Sequence, residues 1–116
     1  LGRMIGSAVR TYKGDVRVAA FASGSFSLEI GGPQIPLNER SGVPDRKWVD
    51  RIVELMRMPN IRDLIDEATP LQMARAGNAG GELLNWIAML GVIGDQMPSE
   101  LFPQSHGHAF GTWRLD

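Results

Sequence analysis

The chain has 116 residues, enough for one small domain, and its 43% hydrophobic and 22% charged content is that of a globular protein. Twelve Lys and Arg against thirteen Asp and Glu leave a net charge of −1, which argues against a general nucleic-acid binder. There is no cysteine, which excludes a disulfide framework, a thiolate metal site and a thiol nucleophile. No apolar run is long enough for a membrane span, and Leu1-Gly-Arg-Met4 lacks the apolar core of a signal peptide. The expectation is a cytoplasmic protein with no membrane or nucleic-acid partner. The first residue is not Met, as in a fragment, a processed product or a trimmed chain.

Leu1, Met4, Ile5, Ala8, Val9 and Tyr12 recur at helical spacing, and Gly14 is placed to close that helix. Val16 to Ala22 then reads as a strand. After Arg17 it is apolar on both faces, the pattern of a central, parallel strand covered by helices. Ser23-Gly-Ser-Phe-Ser27 follows directly. Loops at the carboxyl ends of strands are where open α/β sheets bind ligands, which makes Ser25 and Ser27 candidate substrate-binding residues; an ordinary turn is the alternative.

Leu28-Glu29-Ile30 is short, and the glycines and prolines from Gly31 to Pro44 mark a long loop. Arg40 and Lys47 read as solvated charge, with an anionic ligand as the alternative. Asp45 is placed to cap a helix whose buried stripe is Trp48, Ile52, Leu55 and Met56. Pro59-Asn60 stops it and caps a short helix, Ile61 to Glu67. Thr69-Pro70-Leu71-Gln72 has the N-cap, first-position proline and third-position Gln of a helix start.

Gly80 to Gly94 is the most apolar run and carries one carboxylate, Glu82. As a helix it puts Glu82, Trp86 and Met89 on one stripe, where a carboxylate is expected to be shielded from water and therefore hydrogen-bonded, paired or bound to metal. Two readings stand: an acid held by the free amides of its own helix start, or a metal ligand. Beyond Gly94, Pro98, Pro103 and Gly107 interrupt the pattern. His106-Gly-His108 reads as a solvated or packed pair, with metal binding as the alternative, and Ala109 to Leu115 as a final strand.

Two stretches resemble the C-terminal part of the class III extradiol ring-cleavage dioxygenases, the family of the protocatechuate 4,5-dioxygenase β-subunit and gallate dioxygenase. One is Leu1-Gly-Arg-Met-Ile-Gly-Ser-Ala-Val-Arg10 leading to Val16-Arg-Val-Ala-Ala-Phe-Ala-Ser-Gly-Ser-Phe-Ser27. The other is Ala76-Gly-Asn-Ala-Gly-Gly-Glu-Leu-Leu-Asn-Trp-Ile-Ala-Met-Leu-Gly91, with a glycine-rich lead, a Glu four residues before Trp and an apolar run ending in Gly. The resemblance implies that residues 1–116 are the C-terminal part of a catalytic domain. The expected fold is α/β, a central sheet flanked by helices, incomplete here and completed by the missing N-terminal half or another subunit.

The implied cofactor is Fe(II), held by two histidines and a carboxylate with positions open for an aromatic diol and O2. The carboxylate falls on Glu82; the histidines belong to the half that is absent here. The family's acid/base histidine falls on Leu28, which cannot move a proton, and His106 and His108 are candidate substitutes. Two functions are therefore weighed: part of a dioxygenase cleaving a catechol-type acid such as protocatechuate or gallate, or a catalytically inactive family-like domain serving as a structural or partner subunit.

Overall fold

In the structure, a computed structural model that describes residues 1–94 and 96–115, the chain runs α1 (Gly2–Thr11), β1 (Glu29–Ile30), β2 (Ser41–Gly42), α2 (Arg46–Met56), α3 (Ile61–Glu67), α4 (Pro70–Arg75), a 3-10 turn (Gly80–Glu82), α5 (Leu83–Ile93), β3 (Glu100–Pro103) and β4 (Ala109–Thr112). It is a mixed α/β fold with five α-helices and two small antiparallel sheets among the described residues. β1 pairs with β2, and β3 pairs with β4.

Three helices begin where the sequence supplies an acceptor for an otherwise unpaired amide. Asp45 Oδ1 accepts from Trp48 N–H at 2.9 Å, Asn60 Oδ1 from Arg62 N–H at 3.0 Å, and Thr69 Oγ1 from Gln72 N–H at 3.2 Å with Pro70 next in line. Each such cap stabilises its helix by about 1 kcal/mol. Behind its cap, α2 buries Trp48, Ile52, Leu55 and Met56 as expected, together with Val49 and Val53. They meet Leu64 of α3 and Leu83, Trp86, Met89 and Leu90 of α5, and the β3–β4 hairpin adds Leu101 and Ala109. Arg57 Nη2 ties the hairpin to the end of α2 through Leu101 O at 3.1 Å.

α1 lies against α5 through glycines. A Cβ at Gly2 would stand 2.1 Å from Ala88 O, and one at Gly6 would stand 2.4 Å from Val92 O. The two backbones approach as closely as the missing side chains allow. The apolar residues of α1 do not all follow the glycines inward: Leu1, Met4, Ile5 and Tyr12 are exposed.

The segment from Val16 to Ala22 departs from the expectation of a sheet strand. It belongs to no sheet, and Val16, Val18 and Phe21 are exposed, Phe21 at 91%. A strand is stable only when its N–H and C=O groups find neighbours, and no strand among the described residues pairs with it. Val18 to Ala22 line an open groove of about 460 Å³ with Trp86, Met89 and Trp113, and of these five only Ala22 is half-buried. Among the described residues no helix is long and apolar enough to cross a membrane.

The glycine contact gives a direct test of how α1 is held. Gly6→Val places methyl groups against a backbone carbonyl that cannot swing aside, and we expect a loss of about 1–3 kcal/mol, read as a lower urea midpoint with an unchanged slope.

Candidate functional site

The loop after Ala22 is docked on the first turns of α5 by three side chains on one face. Glu82 Oε2 accepts Ser25 N–H at 2.7 Å, Asn85 Nδ2 donates to Ser23 O at 3.0 Å, and Trp86 Nε1 donates to Gly24 O at 3.0 Å. The spacing 82, 85, 86 is that of neighbours on a helix surface. Gly24 makes the approach possible: its φ is +138°, and a Cβ there would stand 2.5 Å from Glu82 Cβ. Phe26 then turns fully inward, its ring edge-on to Trp86 with centroids 5.1 Å apart.

Glu82 is exposed, whereas Trp86 and Met89 are buried as expected. Glu82 shares a face with Trp86, as the spacing implies, but it ends a 3-10 turn ahead of α5 and lies outside the packing that covers Trp86 and Met89. Its carboxylate makes no hydrogen bond to the amides of its own helix start. It reaches across to Ser25, in the loop after Ala22. A carboxylate accepting an N–H at this distance forms a charge-assisted bond, stronger than a neutral one.

The two candidate serines separate. Ser25 is half-buried, with its amide on Glu82. Ser27 is fully buried; its hydroxyl donates to Ala76 O at 2.9 Å and accepts Asp45 N–H at 3.0 Å, so it ties α2 to the chain before Gly77 and offers no open face to a ligand. Leu28 is half-buried, and its backbone pairs with Ala76 and Ala79 at 2.8 and 3.0 Å.

His106 and His108 flank the tip of the β3–β4 hairpin with rings stacked at 6.5 Å, and His108 also meets Phe110 edge-on at 5.4 Å. Gly107 between them accepts Phe26 N–H at 2.7 Å and Ser27 N–H at 3.2 Å. The turn bearing both histidines is thus docked on the loop that ends at Leu28, a proximity with no trace in sequence spacing. Arg40 and Lys47 are exposed surface residues. No group of three or more His, Asp or Glu among the described residues is placed to hold a metal ion. In chemical kind Glu82 is an anionic oxygen donor such as metals take, and its Oε2 is the atom that accepts the Ser25 N–H.

Trp86 tests the docking. Trp86→Phe keeps the ring and loses the bond to Gly24, for a loss of about 0.5–1.5 kcal/mol. Trp86→Ala also opens the core, for about 3–5 kcal/mol. Both are read from urea denaturation.

No solved structure matches this chain. The family model described as the catalytic LigB subunit of aromatic ring-opening dioxygenase matches residues 1–112. That span contains the docked loop, Glu82 and the histidine turn, and the chain belongs to this family of ring-opening dioxygenases.

Proposed function

We propose that residues 1–116 are the C-terminal part of the catalytic domain of a non-haem Fe(II) extradiol dioxygenase, cleaving a catechol-type aromatic acid such as protocatechuate or gallate with O2, and that Glu82 is the carboxylate ligand of its iron. The observation that carries this reading is the Glu82–Ser25 bond. It fixes an exposed carboxylate beside the loop that follows Ala22, in a chain of a ring-opening family.

Fe(II) in such a site supplies a cationic centre that lowers the pKa of the diol hydroxyls and links the electron-rich ring to O2. The protein's part is position and charge. Ser25 N–H engages Oε2 of Glu82 and leaves Oε1 for the metal. Gly24, held flat against Glu82 by Trp86 and Asn85, keeps side chains away from the space a planar substrate needs. Residue 28, being Leu, moves no proton, and the imidazoles of this chain that lie on the docked turn are His106 and His108. The remaining ligands belong to an N-terminal half or another subunit.

The inactive-domain reading has a specific observation in its favour: Glu82 has a structural task, holding the loop, that needs no metal. One experiment separates the two. In the intact iron-loaded protein, Glu82→Ala removes an anionic ligand, and elemental analysis is expected to show iron falling to background along with turnover. Unchanged iron content would contradict the assignment and favour the structural reading. Separately, the 116-residue chain alone is expected to bind Fe(II) weakly and give no ring-fission product in a spectrophotometric assay with protocatechuate or gallate, because one ligand of three does not hold the metal.

A further inference from the structure

Glu29 is a second carboxylate tied to this region, and no step above uses it. It is 2% exposed, and no Lys or Arg among the described residues forms an ion pair with it. A buried charge without a cation persists only where hydrogen bonds replace its water. Glu29 Oε2 accepts Asn78 N–H at 2.6 Å.

That bond is the reciprocal of the one at Glu82. Residues 25–29 and 78–82 run beside one another, and each segment gives an amide to the other's carboxylate: Ser25 N–H to Glu82, and Asn78 N–H to Glu29. Within each segment, donor and carboxylate are four positions apart. Between the two ties, Ala79 N–H bonds Leu28 O at 3.0 Å. The Asn78 side chain extends the pairing like an added peptide, with Oδ1 accepting Ile30 N–H at 3.0 Å and Nδ2 donating to Ile30 O at 2.8 Å. From Asn78 to Glu82 the path is short and itself bonded, through Gly80 N–H to Gly77 O at 3.0 Å and Glu82 N–H to Ala79 O at 3.1 Å.

We infer that Glu29 and Asn78 are positioning residues for Glu82: they lock the turn that precedes α5 so that the Glu82 carboxylate stays on Ser25 N–H. This rests on the reading of Glu82 as a ligand only for its catalytic meaning; the mechanical coupling stands without it. Metal ligands work only when held within about half an ångström of their productive place, and a carboxylate at the end of a two-glycine turn needs such a lock.

The test is amide hydrogen exchange by NMR on the 116-residue chain. In Glu29→Ala, Ser25 N–H exchanges roughly tenfold faster or more while the amides of Trp86 to Leu90 stay within about threefold of the parent, and Glu29→Gln, which keeps an acceptor oxygen, restores Ser25 to within about threefold. A purely structural Glu29 would move Ser25 and the α5 amides together. That outcome, or an unchanged Ser25 amide, would overturn the inference. Should Glu29→Ala not fold, Glu29→Asp, which keeps the charge but falls short of the Asn78 amide, takes its place with the same expectation. Failure here leaves the iron content of Glu82→Ala untouched, and failure of that iron measurement leaves the exchange result intact, so the two ideas fall separately.

Discussion

The contact on which the site depends is the bond from Ser25 N–H to the Glu82 carboxylate. It joins two stretches far apart in sequence, the loop after Ala22 and the turn before α5. Beside it, the neutral bonds from Asn85 and Trp86 hold the loop to α5. With it, a flexible acid acquires a fixed direction. The close fit at Gly24 follows from the same contact, since a side chain there would displace the acid. Phe26, the next residue but one, is then carried into the core against Trp86.

Around this bond the molecule divides into a firm half and an open half. α2, α3, α5 and the β3–β4 hairpin enclose the buried residues. α1 and the segment after it have apolar side chains on show, from Met4 through Tyr12 to Phe21. The two halves meet at α5, which carries α1 on its glycine contact and the site loop on its first turns. An acid at that junction belongs both to the stable core, through its helix, and to the open side, through its exposure.

Much of the fold was legible because it is local. Asp45, Asn60 and Thr69 announce their helices within three or four residues, and the apolar stripe of α2 is a matter of counting. The site was legible only in part. Glu82 stood out as a lone acid in an apolar run, but its exposure was not readable, because it stands in a 3-10 turn ahead of α5, where the tertiary packing that covers Trp86 does not reach. Val16–Ala22 carries the composition of an inner strand, yet pairing is a property of neighbours rather than of the segment. Ser27 looked like a loop hydroxyl and is a buried strut. Glu29 and Asn78 gave no periodic signal. The hint was an Asn after a glycine that takes φ +107°, in a stretch where an amide side chain stands in for a peptide.

The claim that most needs a direct answer is that metal and carboxylate share this corner of the molecule. Anomalous diffraction at the iron edge, on crystals of the intact iron-loaded protein, locates the metal without reference to activity. The account predicts a single strong peak within bonding distance of Glu82 Oε1, with Oε2 still on the Ser25 amide. A peak bound elsewhere, with Glu82 engaged only by Ser25, would contradict it and leave the acid as a loop anchor.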